Sequence, residues 1–339
     1  MRIALDAMGG DHGPEELIAG ALLAVEQVDL QINLVGDEPL LQSYLKRIAT
    51  DSKRAARLQI VHASQVVGMD EHPVDAIRKK KDSSIVIAFD LVLRREVDAV
   101  VSAGNSGATM AAALRKLGRI KNVSRPGIAS VFPTLKNPVV MMDVGANVDC
   151  RPLHLYQFGV MAAAFARIYN IDKPRVGLLT IGEETGKGNT LVKEAYELLK
   201  GSSLNFIGNV EGRDVFQGNV DVIICDGFVG NICLKVSEGL AEAAMQMLRN
   251  EIIKSPMAKL GYLLARPAFK AFQKRVDYAE YGGAPLLGIN GTGIVCHGKS
   301  NAQAIKNAIL AAVHMVRNNI NDVIARDLGT DEKEVYIGA

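Results

Sequence analysis

The sequence predicts an α/β fold in which a mainly parallel β-sheet is covered by helices on both faces. Short aliphatic runs recur along the chain, and each ends in a cluster of Gly, Asp or Asn before a longer stretch with helical periodicity. Several of these runs are apolar throughout, which is typical of parallel strands that are buried on both faces. Together these observations predict alternating strands and helices.

Nine runs are candidate strands, at residues 2–5, 31–35, 58–62, 97–102, 138–142, 175–181, 204–207, 220–224 and 293–296. For the first and last of these, pairing outside the main sheet is left open. A helix is predicted over 14–27, because Pro14 stands at an early helical position and Glu15 and Glu16 suit the positive end of the helix dipole. A second clear helix is predicted over 301–320.

Composition bounds the class of protein. The 339 residues are 48% hydrophobic and carry 39 basic and 37 acidic side chains, which is typical of a globular protein and does not favour a nucleic-acid partner. Four cysteines without CxxC spacing indicate a reduced compartment and no zinc site. With no signal peptide or membrane-spanning run, the sequence predicts a cytoplasmic protein. No linker divides the chain, so one domain over 1–339 is expected.

One segment, residues 250–280, differs from the rest of the chain in its charge composition and is predicted to be a basic amphipathic helical insertion. Six basic residues and no acidic residue occur between Ile252 and Val276, and Pro267 separates two short helical patterns. Such a protruding hairpin suits a membrane interface or an acidic helical partner. The predicted contact residues are Lys259, Leu260, Leu263, Leu264, Arg266, Phe269, Lys270 and Phe272. A solvated helix pair, packed on its own domain or across a dimer, is the alternative.

Glycine-rich loops follow many of the candidate strands. The first runs from Asp6 to Gly13, where glycine lets backbone N–H groups approach an anion at a helix N-terminus. Its adjacent glycines do not fit the GxGxxG fingerprint, which disfavours a dinucleotide cofactor. If these loops gather along one edge of the sheet, they suit a phosphate and an acyl oxygen. The candidate phosphate or substrate residues are Asp6, Gly9, Gly10, Asp11, Gly104, Asn105, Ser106, Asp143, Asn147, Gly186, Asn189 and Asp226.

Three residues are candidates for catalysis. Lys187 stands among glycines before a helix, where it is either a phosphate anchor or an ordinary surface lysine. Asn231 either caps a helix that begins near Ile232 or directs its amide at a reacting carbonyl. His12 is the best candidate for an acid or base, although a loop histidine bonded to the backbone is an equal alternative. No GxSxG or HExxH motif is present, and no metal is expected.

Seven segments, taken in order, resemble the bacterial phosphate acyltransferases of phospholipid synthesis. They are DAMGGDHGP, SAGNSGA, MDVGANVDCRP, IGEETGKGN, CDGFVGN, DYAEYGGAPLLG and GIVCHGKS. The resemblance implies a three-layer fold like that of phosphotransacetylases and isocitrate dehydrogenase, a homodimer and no cofactor. It also implies transfer of a long acyl chain from acyl carrier protein to inorganic phosphate, which gives acyl phosphate for a downstream glycerol 3-phosphate acyltransferase.

The resemblance implies roles for the three candidates. Lys187 would bind phosphate or the oxyanion, Asn231 would orient the acyl carbonyl, and His12 would protonate the departing thiolate. The basic hairpin would contact acyl carrier protein or the membrane periphery. A short-chain phosphotransacetylase acting on acyl coenzyme A and a non-catalytic scaffold that binds acyl carrier protein or membranes are the alternatives. A nicotinamide dehydrogenase ranks below both.

Overall fold

The computed structural model describes residues 1–49, 51–276 and 278–335. Within them, eleven strands form one continuous sheet in the order β3-β2-β1-β4-β11-β10-β5-β6-β9-β7-β8. The strands are β1 (Arg2–Asp6), β2 (Gln31–Gly36), β3 (Leu58–His62), β4 (Ala99–Ser102), β5 (Gly127–Phe132), β6 (Val139–Met142), β7 (Val176–Leu179), β8 (Phe206–Val210), β9 (Val222–Ile224), β10 (Ala284–Leu287) and β11 (Thr292–Val295).

Helices cover both faces of the sheet. They are α1 (Pro14–Gln27), α2 (Glu38–Ile48), α3 (Ser52–Ala55), α4 (Pro73–Lys79), α5 (Ser84–Leu93), α6 (Ser106–Leu117), α7 (Pro152–Ala166), α8 (Thr190–Lys200), α9 (Gly227–Lys254), α10 (Pro256–Val276), α11 (Ala302–Arg317) and α12 (Ile320–Val335). Short 3₁₀ turns occur at Arg167–Tyr169, Gly212–Phe216 and Tyr278–Tyr281. The buried side chains form two clusters: Ile3 and Leu5 belong to one, and Ala4 between them belongs to the other. Because successive strand residues face opposite sides, this alternation defines three layers.

The direction of the sheet reverses near its middle. Strands β3, β2, β1, β4 and β11 are mutually parallel, and β10 is antiparallel to both β11 and β5. Strand β5 is also antiparallel to β6, which begins a second parallel set with β9, β7 and β8. The carboxyl ends of the two parallel sets therefore lie on opposite edges of the sheet. The glycine-rich loops do not gather along one edge.

All nine predicted strands are present, and the sequence missed β5 and β10. Both are antiparallel to β6 or β11 and lack the apolar run that marked the others: β5 (GIASVF) begins with glycine, and β10 (APLL) contains Pro285. The first and last predicted strands, β1 and β11, both pair with β4 inside the main sheet. One domain over 1–339 stays a prediction, and Thr50, Asp277 and 336–339 lie outside the described residues.

The segment predicted as an insertion, residues 250–280, contains only the end of α9 and the whole of α10, and α10 packs against α9 as a helical hairpin. The two short helices expected around Pro267 are one helix in the structure, α10. A proline removes one backbone hydrogen bond to the residue four positions earlier, here Leu263, whose side chain is 62% exposed. We attribute the tolerance of Pro267 to this exposure, because water can bond the released carbonyl. At the end of α10, Arg275 donates to the carbonyl oxygens of Thr134 and Leu135 at 3.0 and 2.6 Å.

Candidate active site

A cleft of about 240 Å³ lies against β5 and β10, where the direction of the sheet reverses. Residues that follow strands of both parallel sets therefore meet there: Ser106 and His297 come from one edge, and Gly145 and Asn231 from the other. The remaining lining residues are Ile128, Ser130, Val131, Val144, Leu234, Lys235, Glu238, Tyr281, Gly283, Ala284, Val295, Cys296, Ser300 and Ala304. The cleft thus combines apolar walls with hydroxyl, amide, imidazole and ammonium groups.

Asn231 lies in this cleft because of the way α9 begins. The N-cap is Asp226, whose carboxylate accepts from the backbone N–H of Val229 at 2.9 Å, so Asn231 is not the cap. Gly230 packs so closely on the carbonyl oxygen of Asp143 that an added Cβ would overlap it. Among the described residues, the Asn231 side chain has no hydrogen-bond partner. Its amide is therefore available to a ligand.

Asp143 builds the loop that carries Gly145. Its fully buried carboxylate accepts from the backbone N–H groups of Ile128 and Asn147 at 3.0 and 2.6 Å, and from Asn147 Nδ2 at 2.9 Å. Burial raises the pKa of this carboxyl group, and those hydrogen bonds act in the opposite direction. Asn147 Nδ2 also donates to the carbonyl oxygen of Pro126 at 2.8 Å. In this structure, Asp143 and Asn147 thus bind each other and the protein backbone.

The loops after β1 and β4 support each other. The buried Asp6 carboxylate accepts from Ser102 Oγ at 2.7 Å, and burial raises its pKa. The backbones of Gly9 and Gly104 are so close that a Cβ on Gly9 would lie 2.6 Å from the Gly104 nitrogen. Between the two loops, a cavity of about 10 Å³ has room for roughly one water molecule. These residues fix the shape of the edge from which Ser106 enters the cleft.

Asn105 has a structural partner for each part of its amide. Its Oδ1 caps α6 by accepting from the N–H of Ala108 at 3.0 Å, and its Nδ2 donates to the carbonyl oxygens of Met69 and Glu71. The next residue, Ser106, is the first of α6 and lines the cleft. Of the candidates in this loop, Ser106 is therefore the one positioned to reach a ligand.

The end of the first glycine-rich loop lies outside the cleft. The Asp11 N–H donates to the carbonyl oxygen of Gly298 at 2.7 Å, which ties this loop to the turn after β11. Gly10 has a φ of 90°, a conformation that suits glycine. His12 is exposed and does not line the cleft. The structure thus does not bring His12 together with Asn231.

Lys187 also lies outside the cleft, on the exposed loop between β7 and α8. Its backbone N–H donates to the carbonyl oxygen of Glu184 at 3.0 Å, and Asn209 Nδ2 donates to the same oxygen at 2.8 Å. The following helix is capped by Asn189, whose side chain accepts from the N–H of Val192 at 2.9 Å, and Gly186 is exposed. Because β7 pairs with β9, Lys187 and Asn231 follow neighbouring strands at the same edge of the sheet.

Sequence reasoning missed several residues of the cleft. Lys235 and Glu238 lie four and seven positions after Asn231, a spacing that places them on one helical face. Once Asn231 was chosen as a candidate, that helical spacing could have indicated Lys235 and Glu238 as further residues of the site. Ser130 and Ala284 lie on the two strands that the sequence did not reveal, and His297 was noted in its loop without a role. Their proximity to Asn231 depends on the pairing of distant strands.

Burial raises the pKa values of all four cysteine thiols. Cys296 lines the cleft, and burial raises the pKa of its thiol to about 12. Burial also raises the pKa of the Cys225 thiol well above its usual value. Among the residues that the structure describes, no group of three or more His, Cys, Asp or Glu side chains could hold a metal ion. Within the same residues, no helix is long and apolar enough to span a bilayer.

The fold places the chain in the phosphotransacetylase-like class of α/β proteins. A phosphotransacetylase from Streptococcus pyogenes superimposes with a TM-score of 0.65 at 17% identity, covering 94% of each chain. The EutD phosphotransacetylase from Staphylococcus aureus gives a TM-score of 0.61 at 16% identity, again over 94% of each chain. A 4-hydroxythreonine-4-phosphate dehydrogenase from Klebsiella pneumoniae gives 0.54 at 15% identity, over 93% of this chain and 99% of that one. These likenesses confirm the predicted fold class.

Sequence comparison identifies the family. The family model described as "Fatty acid synthesis protein" matches residues 1–323. A phosphate acyltransferase from Syntrophotalea carbinolica is 56% identical over 334 residues, which cover 98% of this chain and 95% of that protein. One from Geobacter sulfurreducens is 53% identical over 332 residues, with coverage of 98% and 95%. The chain belongs to this fatty acid synthesis family, and the resemblance to phosphate acyltransferases is confirmed.

Proposed function

We propose that this protein transfers a long-chain fatty acyl group from acyl carrier protein to inorganic phosphate, giving acyl phosphate for phospholipid synthesis. The high identity to phosphate acyltransferases over nearly the whole chain supports this acyl transfer to phosphate. The structural observation that carries the proposal is the cleft that holds Asn231. An acyl thioester and a phosphate need a site with apolar walls and with donors for two sets of oxygen atoms.

The beginnings of three helices line this cleft. Ser106 is the first residue of α6, Asn231 is the fifth of α9, and Ala304 is the third of α11. Because the positive end of the helix dipole lies at the N-terminus, this arrangement favours a bound anion. The apolar side chains of Val131 and Leu234 offer a wall for the first carbons of an acyl chain.

The reaction needs positioning and charge stabilisation rather than a covalent nucleophile. Phosphate can itself attack the thioester carbonyl, which agrees with cysteine thiols whose pKa values are raised by burial. In the proposed site, Asn231 orients the acyl carbonyl. Lys187 binds phosphate or the oxyanion from the neighbouring loop, and His12 is the proposed acid for the departing thiolate. Of these three residues, only Asn231 lines the cleft.

Purified protein is expected to form acyl phosphate from palmitoyl acyl carrier protein and orthophosphate, measured by trapping as hydroxamate. The Lys187→Ala variant is expected to lose at least about ten-fold in kcat/KM, because a phosphate anchor is removed. Lys200→Ala, an exposed lysine at the end of α8, serves as the matched control. An undiminished rate in Lys187→Ala would remove Lys187 from the site.

The same assay separates the alternatives. Product from acetyl coenzyme A but not from the long-chain carrier protein would favour the short-chain phosphotransacetylase, which the fold likeness keeps under consideration. No product from any thioester would favour the non-catalytic scaffold. A phosphate-dependent product from the long-chain donor supports the proposed function.

We also propose that the α9–α10 hairpin makes peripheral contact with the membrane and with acyl carrier protein. Met257, Leu260 and Leu264 recur at helical spacing on α10 and are 77%, 53% and 77% exposed. Basic residues occupy a different side of the helix, at Lys259, Arg266 and Lys270. Phe269 is only half-buried and packs on Tyr262 with ring centroids 5.0 Å apart. An apolar face beside cationic groups suits an anionic interface.

Charged substitutions at Leu263 and Phe272 are expected to abolish sedimentation with anionic liposomes and to leave the melting temperature nearly unchanged. Both side chains are more than half exposed, so the substitutions remove apolar surface without disturbing the core. Val74→Asp, which changes an exposed apolar side chain far along the chain from the hairpin, is the matched control. Unchanged sedimentation of the Leu263→Asp, Phe272→Asp variant would remove the membrane proposal.

The proposed assembly is a cytoplasmic homodimer at the membrane periphery. Val236, Leu240 and Met247 on α9 are 62%, 68% and 67% exposed, and they offer apolar surface to a second copy. The acyl phosphate product would pass to the glycerol 3-phosphate acyltransferase that consumes it, which makes that enzyme a proposed partner.

A further inference from the structure

We propose that Lys235 binds the inorganic phosphate substrate inside the cleft, beside the acyl carbonyl that Asn231 orients. This inference rests on the proposed acyl transfer and assigns a phosphate-binding residue that the sequence did not indicate. Lys235 lines the cleft, and among the residues that the structure describes it is the only Lys or Arg side chain that does so. A phosphate dianion that enters this part of the described chain therefore has one ammonium group as its partner.

Helix α9 brings Lys235 and Asn231 to the same side. The two residues are four positions apart, a spacing that places side chains on one helical face with Cβ atoms about 5–6 Å apart. Leu234, which also lines the cleft, shows that this face of α9 is turned towards it. Long side chains on a helix point back towards its N-terminus, so the Lys235 ammonium group extends towards Asn231.

The charge of Lys235 is not used by the described part of the protein. Its side chain is exposed, and it has neither a hydrogen-bond partner nor an ion-pair partner among the described residues. Lys254, at the end of the same helix, is instead paired with Glu251 at 2.6 Å. Lysine binds phosphate as a compact positive charge with three N–H donors. Because the hydrogen phosphate dianion carries two negative charges, it can bind Lys187 as well, and the two assignments are compatible.

A carboxylate in the cleft limits where the phosphate lies. Glu238 also lines the cleft, three positions after Lys235 and about one turn further from Asn231. This carboxylate repels phosphate, whereas the N-terminus of α9 attracts it. Both effects favour a phosphate between Lys235 and Asn231, close to the position of the acyl carbonyl.

Phosphate binding is measured without any acyl donor, from the broadening of the phosphorus NMR resonance of inorganic phosphate as purified protein is added at constant ionic strength. Lys235→Met keeps a long side chain and removes the charge, and Lys235→Arg keeps the charge. Glu238→Gln removes the opposing carboxylate. Lys254→Met, on the same helix outside the cleft, is the matched control. The acyl phosphate assay then gives the KM for phosphate and the KM for palmitoyl acyl carrier protein separately, and thermal unfolding is monitored for each variant.

We expect Lys235→Met to weaken phosphate binding and to raise the KM for phosphate about 30-fold, because a hydrogen bond to a charged group is lost. The KM for palmitoyl acyl carrier protein and the melting temperature are expected to stay nearly unchanged. Lys235→Arg is expected to retain most of the affinity for phosphate. Glu238→Gln is expected to bind phosphate about two- to three-fold more tightly, since a repulsion is removed.

Opposite effects at Lys235 and Glu238 are the electrostatic signature of a phosphate beside them, and a merely structural role of either residue does not produce them. Phosphate binding in Lys235→Met as tight as in Lys254→Met would overturn the proposal, and so would weaker binding in Glu238→Gln. Failure of the proposed function has a different result. A wild-type protein that binds phosphate through Lys235 but forms no acyl phosphate from any thioester would refute the acyl transfer and support the phosphate site.

Discussion

Replacing Gly230 by alanine is expected to destabilise the protein by about 3 kcal/mol and to reduce kcat/KM about 100-fold. A Cβ at this position would overlap the carbonyl oxygen of Asp143 and lie 2.9 Å from the Cys225 sulfur. Neither obstacle is the flexible end of a side chain, so the start of α9 must shift. A shift of about 1 Å would also displace Asn231, the next residue.

Urea unfolding and the acyl phosphate assay measure the two effects of Gly230→Ala. The matched control is Gly239→Ala in the same helix, where nothing lies within 4 Å of an added Cβ. Alanine is favoured over glycine in a helix interior by roughly 0.5–1 kcal/mol, so the control is expected to be slightly more stable than the wild type. If the two variants unfolded at the same urea concentration, the close contact between α9 and the Asp143 loop would not constrain the fold.

Replacing Asn231 by alanine is expected to lower kcat/KM about 100-fold while leaving the melting temperature within a few degrees of the wild type. Removal of one preorganised oxyanion donor has this order of effect on rate. Stability is expected to be preserved because the Asn231 side chain is partly exposed and has no hydrogen-bond partner among the described residues, and because alanine suits a helix. Activity and unfolding are thus expected to respond differently.

Asn250→Ala is the matched control for Asn231, since it makes the same change on the same helix outside the cleft. Asn231→Asp adds a further test. The carboxylate has nearly the same shape but repels the developing oxyanion, so this variant is expected to be no more active than Asn231→Ala. An Asn231→Asp variant with wild-type activity would exclude the amide from charge stabilisation.

The local pattern of the sequence was sufficient to predict most of the strands and helices. Buried parallel strands such as β9 are apolar throughout, and Pro14 with two glutamates marks the first turn of α1, so both elements were predicted. Strands β5 and β10 were not predicted, because β5 begins with glycine and contains a serine, and β10 contains a proline. Helical structure on both sides of Pro267 was predicted, but Pro267 was interpreted as a break between two short helices, whereas α10 continues through it. A sequence does not reveal whether the released carbonyl can bond water.

The candidate site was predicted less completely. Asp6, Asp143 and Asn105 were chosen as ligands because polar residues after strands often bind substrates. In the structure, their polar atoms are instead used by neighbouring backbone groups and side chains. Asn231 does lie in the cleft. Whether a loop side chain faces its own backbone or a ligand depends on neighbours that are far away in the sequence.

By itself, the sequence determined the family and the alternation of strands and helices. These properties follow from local runs of residues and from motifs that occur along the chain in the order typical of the family. The tertiary structure alone decided that β10, β5 and β6 pair in antiparallel fashion and reverse the sheet, so that His297 and Asn231, from opposite edges, line one cleft. Strand direction and partners are set by hydrogen bonds and packing between distant segments, which no local pattern specifies.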